Sequence, residues 1–181
     1  ITYFLPIWLL HRWLNPQLPG VFGLHFQRIN LKPYFILLSF VVPLIIAASF
    51  LPDFLATYPR LKLWLYPELS VVGKAMYALF YELAYAFDFV FIELVFRGIL
   101  VIGMIAILGK NAILPMVSMY VFIHFGKPLG ECISSAFGGY ILGIIAYHTG
   151  NIYGGCIIHI GVAWLMELTA MVQHYFILKM H

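Results

Sequence analysis

Charge is scarce in this 181-residue chain: only 9% of its residues are Asp, Glu, Lys or Arg, against about 25% in a typical soluble domain. So few charges cannot wet a protein surface, and 64% of the residues are hydrophobic. A water-soluble globule is excluded, and the surface must face lipid. Basic residues are also few, with a net charge of +3, and they form no stripe that could track phosphates. Nucleic acid is therefore not a partner. There are only two cysteines, Cys132 and Cys156, both in apolar surroundings. They suit buried free thiols rather than a disulfide framework. Repeats and low-complexity segments are lacking. So are a starting Met and a basic leading region at Ile1-Thr2-Tyr3-Phe4, which reads as a chain trimmed at its front with no cleavable signal.

What is present is a succession of apolar runs long enough for membrane helices. The expected fold class is all-α, a polytopic helical membrane bundle. Composition divides it into an N-terminal membrane segment and connector over residues 1–69 and a helical core over 70–181. Residues 1–14 are too short to span alone. The cleanest span is 34–51, where Pro43 predicts a kink, with Ser39 placed to satisfy the freed carbonyl. Arg12, Arg28 and Lys32 before it favour a cytoplasmic start, and Arg60 and Lys62 after it reduce the contrast. Between 70 and 108 no proline intervenes. One helix there would reach roughly 58 Å, beyond a bilayer core of about 30 Å. That predicts an interfacial first half or a break, with the buried half starting near Phe87. Further helices are expected over 113–125, 131–147 and 153–178, separated by Gly109-Lys110-Asn111, Gly126-Lys127-Pro128 and Thr149-Gly150-Asn151.

Ionisable groups within such runs are costly and by default mark function. Glu93 and Arg97 stand at i, i+4 and can pair on one helix face, either as a packing device or as a fixed carboxylate. Asp88 lies about one turn before them, and Glu82 returns to the Glu93 face. His124 closes a short helix just before a Gly-Pro break. A core histidine held by a hydrogen bond is one reading of it, and a functional imidazole is the other. Glu131 follows seven residues later. On the last helix His159 and Glu167 are i, i+8, about 12 Å apart along the axis, too far to share one metal ion. A carboxylate and two imidazoles are the usual materials for activating water, as general bases or on a metal. A divalent ion such as Zn²⁺ is conceivable at His124, His159 and Glu131. His148 and His174 sit at helix ends and receive no role.

At these residues the chain resembles the CPBP family of intramembrane proteases, named for CAAX proteases and bacteriocin-processing enzymes. Ile92-Glu93-Leu-Val-Phe-Arg97 followed by Gly98 is similar to the family's EExxxR, Tyr120-Val-Phe-Ile-His124 to its FxxxH, and His159-Ile-Gly-Val-Ala163 to its HxxxN. Phe137-Gly-Gly-Tyr-Ile-Leu-Gly143 and Thr149-Gly-Asn-Ile-Tyr-Gly154 are similar to its glycine-rich helix and following turn. The likeness covers about residues 81–167. Two positions depart from the pattern: Ile92 stands at the first Glu and Ala163 at the closing Asn.

The resemblance implies an intramembrane endopeptidase of a bacterial-type cytoplasmic membrane. It would hydrolyse membrane-associated peptide or protein substrates with water activated by Glu93, Glu131, His124 and His159. Arg97, Asp88 and Glu167 would support them. Among the acids Glu131 is the preferred partner of the histidines, since Arg97 makes Glu93 a poor base and Asp88 and Glu167 need a helix shift of about one turn. Two other classes stay open. One is an inactive relative that binds a peptide or protein as an immunity-type scaffold. The other is a bundle that holds a metal or cofactor.

Overall fold

The computed structural model describes the backbone of residues 4–25 and 28–180, with side chains up to residue 176. Ile1, Thr2 and Tyr3, on which the reading of a trimmed front rests, lie outside the described residues. Among the described residues eight α-helices follow in order: α1 Phe4–Leu14, α2 Lys32–Ala48, α3 Pro52–Thr57, α4 Val71–Glu93, α5 Ile105–Leu108, α6 Ile113–Phe122, α7 Leu129–Thr149 and α8 Tyr153–Met180. The chain is all-helical, as its composition requires. Among the described residues three helical runs are long and apolar enough to cross a membrane: Val71–Phe122, Leu129–Thr149 and Tyr153–Phe176. The segment expected to be the cleanest span, α2, is only 17 residues long and falls just short of that group. Within it the Ser39 hydroxyl donates to Ile36 O at 2.7 Å, so it does not reach the carbonyl that Pro43 frees.

Local chemistry explains most boundaries. Asn151 Oδ1 accepts the Tyr153 amide at 3.1 Å, the side-chain cap that opens α8. Gly150, at φ +64°, closes α7 in the left-handed conformation that favours glycine. α6 stops at Phe122, three residues before the expected end, and tightens into a turn with the His124 amide on Val121 O at 2.9 Å. His124 is therefore carried by a turn rather than by the helix itself.

The long stretch after residue 70 does break, and it does so just after Glu93 rather than before Phe87. α4 passes into a π-helical turn over Leu94–Ile99, then 3-10 turns over Ile102–Met104 and Gly109–Ala112 flanking α5. The Leu100 amide bonds Val95 O at 3.1 Å, five residues back. Such widened turns are rare and concentrate at functional sites.

The chain forms two compact units that interleave in sequence: residues 1–32 with 89–157, and 33–88 with 158–181. The first unit has a core of Phe96, Val101, Ile113, Met116 and Tyr120, with Ile92, Leu100, Val117, Ile144 and Tyr147 packed around it. Gly139 and Gly143 let α7 lie close to α6, since a Cβ there would come within 2.9 Å of Tyr120 Cδ1 and 2.7 Å of Met116 Cε. Small residues at such contacts are how membrane helices gain dispersion energy when lipid removes the hydrophobic drive. Phe22 is buried at φ +47° and wedges beside the π turn. A Cβ on Gly98 would lie 2.8 Å from Phe22 O, and one on Gly103 2.9 Å from the Phe22 ring. Asn15 Nδ2 donates to Gly103 O at 3.3 Å, and the Tyr153 hydroxyl donates to His25 O at 2.6 Å.

The second unit is centred on Ile45, Phe54, Tyr58, Met166 and Ala170. Gly161 accommodates Leu38, whose Cδ1 would stand 2.9 Å from a Cβ at that position. Gln173 Nε2 donates to Ser49 Oγ at 3.2 Å.

Candidate active site

Glu93 is the last residue of α4 and Arg97 sits in the π turn that follows. Both side chains are fully buried, and Arg97 Nη1 donates to Glu93 Oε1 at 2.8 Å. The expected i, i+4 pair is therefore present, and two groups that would be intolerable singly in hydrocarbon neutralise each other. The Arg97 guanidinium carbon lies 4.3 Å from the centre of the Tyr120 ring, a cation–π distance. Arg97 Nε and Nη2 have no hydrogen-bond acceptor among the described residues.

Tyr120 links that pair to His124. Its ring is edge-on to Phe96 at 5.2 Å and 4.6 Å from the His124 ring. His124 is buried, and its Nδ1 is 2.7 Å from Tyr120 O. A carbonyl only accepts, so this contact makes Nδ1 the donor. The first unit thus assembles Glu93, Arg97, Tyr120 and His124 into one buried array of an ion pair, a π face and an imidazole. The Glu93–Arg97 pairing was expected from its i, i+4 spacing, and His124 was singled out as a motif residue. Tyr120 stood in the sequence as the aromatic of the second motif, without a stated role.

Glu131 lies in the first turn of α7, and Lys127 Nζ reaches its Oε1 at 2.6 Å. Both side chains are part-exposed, unlike the Glu93–Arg97 pair. Asp88 is exposed, and Ile92 packs against the aromatic core of the first unit.

In the second unit Glu167 is 3% exposed and takes the Arg60 backbone amide on both carboxylate oxygens, at 2.9 and 3.0 Å. Glu82 belongs to the same unit. His159 is half-buried on α8, and Ala163 is buried one turn later. Of the cysteines, Cys156 is buried as expected while Cys132 is only half-buried.

Among the described residues no three His, Cys, Asp or Glu side chains form a group that could hold a metal ion.

Sequence reading missed one residue at this site. Gly155, in the first turn of α8, abuts Glu93, and a Cβ there would lie 2.6 Å from the carboxylate carbon. A signal existed in the pair Gly154-Gly155, which opens a helix at a propensity cost of about 1 kcal/mol per glycine.

The fold and the buried acid–base array define the class: a polytopic helical membrane protein with ionisable side chains inside its apolar core. Residues 74–165, just over half of the chain, match the family model described as type II CAAX prenyl endopeptidase Rce1-like, and the chain belongs to that family within the CPBP group. No curated protein and no solved structure matches it. The matched stretch includes all three motifs, from Glu93 to Ala163.

Proposed function

We propose that the chain is an intramembrane endopeptidase that hydrolyses peptide bonds of membrane-associated substrates, with His124 as the general base. The observation that carries this reading is the His124 Nδ1–Tyr120 O contact of 2.7 Å. It orients the buried imidazole, with Nδ1 turned to the backbone carbonyl. His124 Nε2 takes a proton from water, and the hydroxide adds to the scissile carbonyl. The imidazolium then returns the proton to the departing amine, so the products are a carboxylic acid and an amine. Glu93, paired with Arg97, fixes the buried framework on which Tyr120 and His124 sit. Membership of the endopeptidase family supports the reaction class. His159 enters the proposal on its motif position alone. Glu131 ranks lower than its place in the sequence suggested, because its Oε1 is already engaged by Lys127 Nζ at 2.6 Å.

The test is cleavage of a membrane-peptide library by the full chain in lipid vesicles. His124→Ala and Glu93→Gln should each reduce cleavage by about 10²-fold or more, and Glu131→Gln should retain most of it. Full cleavage by His124→Ala would overturn the role of His124.

One observation favours a second reading, a non-catalytic peptide- or protein-binding relative. Ile92 and Ala163 stand where the motifs carry Glu and Asn, and both are packed as apolar residues. Binding of library peptides by the parent without any cleavage would select that reading.

A further inference from the structure

We propose that Gly155 is a positioning residue that seats the Glu93 carboxylate. The inference rests on the reading of Glu93 as part of the active site, and it concerns what holds that side chain in its pose. Gly155 is the third residue of α8 and is buried. A Cβ built on it would meet Glu93 Oε2 first, then Cδ at 2.6 Å and Cγ at 3.4 Å. Real Cβ atoms do not approach other atoms that closely, so the carboxylate occupies the volume that a side chain at 155 would fill. It cannot swing aside at low cost, because Glu93 is fully buried and Arg97 holds its other oxygen at 2.8 Å. The seat also has the right polarity. Amides in the first turn of a helix lack intrahelical acceptors, and the N-terminal end of the macrodipole favours a negative group.

The two sides of the carboxylate therefore have different jobs. Arg97 neutralises Glu93 through a side chain on the same helical run. Gly155 fixes where the second oxygen lies, by leaving space. The tolerance is below one methyl group, and a misplacement of about 1 Å near reacting atoms can cost 10²-fold in rate.

The experiment uses the full chain in lipid vesicles and reads melting temperature and the separate kcat and KM of peptide cleavage. Gly155→Ala should lower the melting temperature and reduce kcat at least tenfold with KM changed less than twofold. Combining it with Glu93→Asp, which withdraws the carboxylate by one methylene, should raise the melting temperature and kcat above those of Gly155→Ala alone. Gly161→Ala is the control. It crowds Leu38 on the same helix, so Glu93→Asp should bring it no recovery.

A Gly155→Ala protein that melts and cleaves like the parent would overturn the proposal, as would a double variant no better than the single one. If Gly155→Ala does not fold, recovery of folding in the double variant supports the seat and continued failure overturns it. Absence of cleavage by the parent would sink the peptidase reading. The coupling in melting temperature between positions 155 and 93 would still decide the seat.

Discussion

The two units each bury a glutamate, and they satisfy it in opposite ways. Glu93 meets its counter-ion four residues away, so the pair is complete within one helical run. Glu167 spends both oxygens on the backbone amide of Arg60, 107 residues distant. The Arg60 side chain is exposed, and its guanidinium carbon lies 5.9 Å from the centre of the Tyr58 ring. A local counter-ion suits a fully buried carboxylate in the unit that also buries Tyr120 and His124. A backbone clasp suits one that ties the connector after α3 to α8. The same residue type thus serves a local ion pair in one unit and chain closure in the other, and the donor it finds separates the two.

The largest effect that could break this comparison is expected at Arg97. Arg97→Leu removes the counter-ion and strands a fully buried carboxylate, a loss of about 3–5 kcal/mol. Thermal unfolding in detergent or vesicles should show it, and a parent-like melting curve would mean that the pair contributes nothing to assembly. The contrast sharpens at the second glutamate. Glu167→Gln keeps one carbonyl acceptor but loses the charge-assisted bonds, for a cost of roughly 1.5–3 kcal/mol. Arg60→Leu retains the backbone amide and should cost under about 1 kcal/mol. Equal losses in those two variants would mean that an ion pair, not a backbone clasp, holds Glu167.

The smallest effect is expected in the first unit away from the array. His11, beside the Phe22 wedge, packs edge-on to that ring at 5.0 Å. Burial, and then the Arg12 charge, lower its pKa below 6.5. The folded state therefore binds a proton less readily than the unfolded chain. This contribution to stability is fully present above about pH 6.5, the unfolded value. It is lost as pH falls through the depressed folded value. Melting temperature measured from pH 8 to pH 5 should decline, and His11→Phe should flatten that part of the curve. An unchanged slope in His11→Phe would assign the decline to other groups.

The ion pair was legible because helical periodicity alone brings residues 93 and 97 together, whatever the rest of the chain does. His124 was legible as a motif residue. Its placement in a turn was not, because helix ends depend on where the chain tightens and Gly126 supplies φ +88° only after that turn. Length predicted an interfacial first half or a break, but not the position of the break after Glu93. It follows from Phe22 reaching Gly98 and Gly103, a contact between segments more than 70 residues apart. Glu131 drew the strongest expectation among the acids. The structure gives it a counter-ion in Lys127, at an i, i+4 spacing that was equally visible in the sequence.

By itself the sequence determined the solvent, the helical class and the family, because 9% charge cannot cover a water-facing surface and motif spacing survives without coordinates. It also determined that Glu93 and Arg97 would meet, since that contact needs only one turn of helix. Only the tertiary structure decided what each acid does. The donor to Glu167 is an amide on a distant connector, and the boundary of the Glu93 seat is a missing side chain at Gly155. Neither can be read from periodicity. The first depends on chain closure over 107 residues. The second depends on a close approach between the end of α4 and the start of α8, which no local pattern encodes.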